Sequence, residues 1–196
     1  MNDHADPDED TPLMIRLKAG DEAALNLLMQ RWQVPLVRFI LRYSGNPTDA
    51  VELAQEVFVR VYQHRSRFTP NRRFSTWVYT IATNLCRNQA RWHRNHPTTP
   101  LAGQEGGSGS AWVTPEPSPA ARAEHSEIAA LVRDQIQRLP HDLKTVILLF
   151  EYEECSHETI AGVLGCTPKA VESRLYRARK RLRKALSNNG ILGTRG

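Results

Sequence analysis

Cysteine is scarce in this 196-residue chain, with Cys86, Cys155 and Cys166 its full complement. The number is odd and no CxxC spacing occurs, which argues against a disulfide framework or a zinc site and for reduced, mostly buried thiols. The seven histidines form no HxxxH or HExxH pair, so a metalloenzyme has no footing, and neither a metal nor another cofactor is expected. Long apolar runs are missing as well. The longest, residues 146–150, is far too short to cross a bilayer, so no membrane insertion is expected. The N-terminus is acidic and has no apolar stretch, unlike a secretory signal, which points to a cytoplasmic protein. No alternating strand pattern and no internal repeat can be found. Carboxylates outside the N-terminus sit singly or on exposed helix faces, not in the clusters that a metal-dependent nuclease needs. An enzyme is therefore not expected.

Lysine and arginine are absent from the first ten positions, which hold Asp3, Asp6, Asp8, Glu9 and Asp10. The rest of the chain carries 26 basic residues against 16 acidic ones, a net charge of +10. An excess of that size suits a polyanionic partner, most often nucleic acid. An apolar fraction of 40% is enough for packed cores, and the periodicity is helical throughout. The segment HPTTPLAGQEGGSGSAWVTPEPSPAA from His96 is dense in Pro, Gly and Ser and reads as a linker. The expected fold is all-α, with two small helical domains, an N-terminal helical bundle and a C-terminal helix-turn-helix, joined by a flexible linker. Its parts are an acidic disordered tail (1–10), an N-terminal domain (11–95), the linker (96–123), a C-terminal domain (124–187) and a tail (188–196).

In the N-terminal half, Thr11-Pro12 reads as a helix start and Gly20-Asp21 as a stop followed by a new cap. The second helix runs to about Tyr43. Asp49, with Glu52 three residues on, resembles a capping arrangement for a helix ending near His64. Ala54, Val57, Phe58 and Val61 form its buried stripe, opposite Glu52, Gln55, Glu56 and Val59. A loop over 65–74 precedes a helix from about Ser75 to Arg94. Trp77, Asn84, Asn88 and Arg91 fall within a narrow arc of that helix at about 100° per residue. An aromatic ring and amides on a basic face suit unstacked bases, although Trp77 can equally cap the core.

The most informative stretch is SHETIAGVLGCTPKAVESRLYRARKRLRKAL, residues 156–186. Ser156 can cap a short helix that Gly165 ends, Thr167 can cap the next, and Pro168 suits its first position. Val171, Leu175, Ala178 and Leu182 face inward, leaving Lys169, Glu172, Ser173, Tyr176, Arg177 and Lys180 outward. A short bracing helix followed by a basic one is the layout of a DNA-binding helix-turn-helix, whose second helix enters the major groove. Arg179, Arg181, Arg183 and Lys184 extend a field that attracts the phosphate backbone.

DAVELAQEVF at 49–58, FSTWVYTIATN at 74–84, Leu139-Pro140, Ile160-Ala161, Leu164-Gly165 and SRLYRAR at 173–179 together resemble the bacterial extracytoplasmic-function sigma factors, over about residues 13–95 and 125–187. The resemblance implies a promoter-specificity subunit of RNA polymerase that directs promoter recognition, DNA melting and initiation. Core polymerase, through its β and β′ subunits, and promoter DNA are the implied partners, with an anti-sigma factor by family habit. Asp49, Glu52, Gln55, Glu56 and Val59 would form the core-binding face. Arg72, Arg73, Phe74, Trp77, Asn84, Asn88 and Arg91 would take the minus-ten element, with a flipped base held by the loop 65–74. Thr167, Lys169, Glu172, Ser173, Arg174, Tyr176, Arg177 and Lys180 would take the minus-thirty-five element. The alternative is a two-domain helix-turn-helix regulator that acts without core. Two departures stand out. Thr159 replaces the usual glutamate before Ile-Ala, which predicts a weaker helix start. Glu172 replaces a common basic residue, and its carboxylate can accept from a cytosine amino group or pair with Lys169 or Tyr176.

Overall fold

The computed structural model describes residues 7–96 and 119–189, with side chains over 9–96 and 127–189. Among the described residues all regular structure is helical: α1 (Pro7–Lys18), α2 (Ala23–Ser44), α3 (Pro47–Gln63), a 3-10 turn (Arg65–Arg67), α4 (Phe74–Asn95), α5 (Pro119–Gln137), α6 (His141–Glu151), α7 (His157–Leu164) and α8 (Pro168–Asn188).

In the N-terminal half α2 is the centrepiece. Leu28, Trp32, Leu36, Phe39, Ile40 and Tyr43 recur at helical spacing and are buried against α1, α3 and α4. Local chemistry sets where this helix stops. Gly45 takes a left-handed φ of 74° and returns its N–H to the Leu41 carbonyl. Asn46 then caps α3, its side-chain oxygen accepting from the N–H groups of Thr48 (2.9 Å) and Asp49 (3.4 Å), with Pro47 at the first helical position. The sequence reading gives this role to Asp49. Asn46 takes it because its extended backbone aims the side chain back at the first turn, and Asp49 becomes a first-turn acid instead.

The N-terminal boundary also differs from expectation. α1 begins at Pro7, Pro12 lies inside it, and residues 7–10 of the expected disordered tail are helical. Asp10 is only 2% exposed. Its carboxylate accepts from the Trp32 indole N–H at 3.0 Å and from Arg31 at 3.1 Å, which anchors the start of the chain to α2. Residues 1–6 lie outside the described residues. So do 97–118, including Trp112; α5 begins at Pro119, inside the span read as linker.

In the C-terminal half α6 is almost wholly buried, and α7 and α8 pack across it. Ser156 caps α7 by accepting from the Thr159 N–H at 3.2 Å, and its hydroxyl donates to Thr159 Oγ1 at the same distance. Thr159 is buried, so the expected weak start is instead doubly tied. Gly165, at φ 61°, ends α7, and Thr167 caps α8 by accepting from the Ala170 N–H at 3.2 Å.

The two halves share one apolar cluster and a polar seam. Glu153 pairs with Arg42 at 3.2 Å and accepts from the Tyr79 hydroxyl at 3.0 Å. Gln137 donates to the Arg42 carbonyl at 2.6 Å, Lys144 donates to the Tyr43 carbonyl at 3.4 Å, and Tyr43 hydrogen-bonds His141. Burial, ahead of nearby charges, lowers the Lys144 and His141 pKa values and raises those of Tyr43 and Tyr79.

Candidate functional site

Three faces carry the residues singled out by the sequence. The first is on α3. Ala54, Val57, Phe58 and Val61 are buried, as their spacing predicts, which turns Glu52, Gln55 and Val59 to solvent and leaves Glu56 half-buried. Glu56 accepts from Arg60 at 2.7 Å, one turn on. Val51 and Val59 are each about half exposed and bracket Gln55, so this arc combines apolar and acidic groups. Asp49 stands apart from it: its side chain is mostly covered and pairs with His93 of α4 at 3.3 Å.

The second face is the loop and α4. Phe74 is 2% exposed and belongs to the core, edge-on to Trp32 at 5.5 Å. Trp77 is half-buried and braced edge-on against the buried Phe68 at 5.4 Å. Its ring is therefore braced by two phenylalanines and stays partly exposed. Arg72, Arg73, Asn84, Asn88 and Arg91 are all exposed; Asn84, Asn88 and Arg91 follow Trp77 along one arc of α4, while Phe74 lies inside it. Arg72 also donates to the Gly162 carbonyl of α7 at 3.3 Å.

Sequence reasoning missed Trp92. It is 49% exposed, stacks on His96 with ring centroids 5.1 Å apart, and follows Arg91 on the same side of α4 as Asn88. The signal lies in the run RWHR at 91–94, an aromatic among basic residues near a helix end.

The third face is on α8. Val171, Leu175 and Ala178 are buried, and Lys169, Glu172, Ser173, Tyr176, Arg177 and Lys180 lie exposed along the opposite side, with Tyr176 at 66%. Lys169 and Glu172 pair at 2.6 Å, which raises the pKa of the lysine and lowers that of the glutamate. Thr167 is exposed beside them as the cap. Arg174 does not share this face. It turns toward α6 and pairs with Asp142 at 3.3 Å, because one step of about 100° beyond Ser173 carries it round toward the buried side. Arg179 likewise reaches α6, bonding Glu151 at 2.6 Å.

Among the described residues no group of histidines, cysteines or carboxylates is placed to hold a metal ion, and no helix is long and apolar enough to cross a membrane. Cys86 and Cys155 are buried and Cys166 is half-buried; burial pushes the Cys86 pKa up to about 12.

The family model for sigma-70 region 2 matches residues 28–96, and that for sigma-70 region 4 matches residues 129–182. The RNA polymerase sigma-H factor of Pseudomonas aeruginosa is 34% identical over 91% of this chain and 94% of its own length. The ECF RNA polymerase sigma-E factor of Haemophilus influenzae is 33% identical over 87% of this chain and 92% of its own. Among solved structures, CnrH in complex with the cytosolic domain of CnrY superposes with a TM-score of 0.68 at 26% identity, covering 92% of this chain and 99% of that one. The Bartonella quintana sigma factor RpoE shares the fold at a TM-score of 0.58 and 20% identity, over 83% of this chain and 96% of that one. With both regions in order, and similarity running across nearly the whole length of its relatives, the chain belongs to the extracytoplasmic-function sigma factors.

Proposed function

We propose that this protein is an alternative sigma factor that binds RNA polymerase core in the cytoplasm, directs promoter recognition, melting and initiation, and performs no covalent chemistry itself. The observation that carries this reading is the coexistence, in one chain, of a mixed apolar-acidic arc on α3, an open aromatic-amide face on α4 and a helix-turn-helix in α7 and α8. A regulator that only binds duplex DNA needs the last of these and has no use for the other two.

Each face has a physical task. Val51, Glu52, Gln55, Glu56 and Val59 offer core polymerase an apolar centre with a charged rim, as protein interfaces do. Asp49 contributes at its edge through His93. Trp77, backed by Phe68 and Phe74, gives a rigid stacking surface, and Asn84, Asn88, Arg72, Arg73 and Arg91 supply hydrogen bonds and charge for an unpaired strand. Capturing a base that has left the stack offsets an unpairing cost of a few kcal/mol. Lys169, Ser173, Tyr176, Arg177 and Lys180 face duplex DNA, with Thr167 near the backbone. Arg174 acts indirectly, by fixing α8 against α6. An anti-sigma partner belongs to the same proposal, as the resemblance to this family implies.

The test is reconstitution. Full-length protein added to core polymerase free of other sigma factors should produce a defined set of transcript starts sharing two upstream elements. Gln55→Ala combined with Glu56→Ala should weaken core binding while leaving the full chain's affinity for duplex DNA intact. Arg177→Ala should cut affinity for the minus-thirty-five duplex by roughly tenfold or more, as loss of a base-edge arginine does, and leave core binding unchanged. Tight duplex binding with no initiation would establish a core-independent regulator instead.

A further inference from the structure

Glu172 is the one acid among the exposed residues Lys169, Ser173, Tyr176, Arg177 and Lys180 on the outer face of α8. It follows the Thr167 cap by little more than one turn, in the half of a recognition helix that enters the groove. Its Oε2 lies 2.6 Å from Lys169 Nζ, with the two side chains 46% and 85% exposed. The Ser173 hydroxyl is turned back onto the Lys169 carbonyl at 3.1 Å, and Arg177 Nε donates to the Ser173 carbonyl at 3.3 Å. With Ser173 turned back, Lys169 and Glu172 present an acceptor and a donor held side by side.

We propose that Lys169 and Glu172 act as one unit that reads a single C·G base pair of the minus-thirty-five element, Glu172 accepting from cytosine N4 and Lys169 donating to guanine O6 and N7. The inference rests on the sigma-factor reading given above. Cytosine N4 and guanine O6 are Watson–Crick partners, about 2.9 Å apart as in an ordinary N–H···O bond, so the groove edge presents a donor beside an acceptor at nearly the spacing of the protein pair. Guanine N7 lies next in line and gives the ammonium, with its three donors, a second acceptor. An A·T pair fits less well: its amino donor sits between two acceptors, and the thymine methyl crowds one of them. Reversing the C·G pair sets lysine over the amino group and glutamate over the guanine acceptors, which repels both. Lysine also answers the objection to an acid near phosphates. It holds Glu172 ionised, so the carboxylate is an acceptor only.

A promoter library with all four bases at every minus-thirty-five position, transcribed by core polymerase with the full-length protein, reads this directly. The wild type should prefer C at one position by about tenfold or more, the span typical of a good base-edge contact. Glu172→Gln should move that preference to A, since a carboxamide pairs with adenine N6 and N7. Glu172→Ala should flatten it, and Lys169→Ala should reduce it at that position only. Both residues are exposed, so thermal melting of the variants should match the wild type. A C preference that persists undiminished in Glu172→Ala overturns the inference, as does a uniform loss across all promoters in Lys169→Ala. If wild-type protein and core produce no starts, the sigma-factor reading fails and the inference goes with it; if starts occur but no position responds to Glu172, only the inference fails.

Discussion

Asp10 shows how far a single residue can depart from its sequence context. It closes a run of acids that reads as a solvated tail, yet its carboxylate is buried against Trp32 and Arg31. Among the described residues Asp10 is the acceptor for the Trp32 indole N–H, so Asp10→Ala leaves a buried donor unsatisfied and should destabilise the protein by about 2 kcal/mol in urea denaturation. Trp32→Phe in the Asp10→Ala background should add little beyond the loss of ring packing, because the shared hydrogen bond is already gone. Phe74 and Arg174 carry the same lesson at the proposed DNA faces. Residue type places both with their functional neighbours in FSTW and VESR, but the packing angle sends Phe74 into the core and Arg174 to Asp142. Trp77 and Glu172, by contrast, sit where periodicity puts them.

At the scale of helices, most of the fold was legible because the stop and start signals are local. Ser156, Gly165 and Thr167-Pro168 each act through backbone angles or a cap within a few residues; at α3 the signal is equally local, although the cap is Asn46 and not Asp49. The start of α1 was not legible, since it depends on Trp32 far along the chain, nor was the seam between the halves, where partners are about a hundred residues apart. That seam makes α6 sensitive to pH. Burial first, then the Arg87 guanidinium of α4, lowers the His141 pKa below the ordinary 6.5, while Asp142 opposes and Lys144 adds to the shift. The neutral ring hydrogen-bonds Tyr43 of α2. An unfolded His141 takes up its proton near the ordinary value, so below it the unfolded state binds more protons than the folded one. The contribution is complete above about pH 7 and is lost as pH falls through 6.5 toward the lowered folded value. Denaturation midpoints should therefore drop between about pH 7.5 and 5.5, above the range where carboxylates titrate. His141→Asn should show a smaller drop than the wild type over the same interval.

The whole molecule poses a problem of reach. Elements centred near minus ten and minus thirty-five lie about 25 base pairs apart, or roughly 85 Å along B-form DNA. In this arrangement Arg72, part of the proposed strand-binding face, donates to the Gly162 carbonyl in the first helix of the helix-turn-helix. If the proposed faces read both elements, this contact holds them too close together to reach across that distance, so the halves are expected to part when polymerase and promoter are bound. The seam suits that requirement, because much of it consists of hydrogen bonds and ion pairs that water can replace. Gly162 offers a way to shift the balance. A Cβ there would stand 2.7 Å from Thr76 Cγ2, and Thr76 is buried, short and β-branched, with little room to yield. Within α7 itself alanine is the better helix former by about 1 kcal/mol, so the substitution strengthens the helix while it wedges the contact. Gly162→Ala should therefore leave helical content unchanged and open the free protein. With dyes placed on α3 and α8, energy transfer in the free variant should fall below that of the free wild type, and both should converge on one low value in the holoenzyme on promoter DNA. Wild-type transfer that stays unchanged on assembly would show that the seam survives promoter binding, and that the two elements are read without parting the halves.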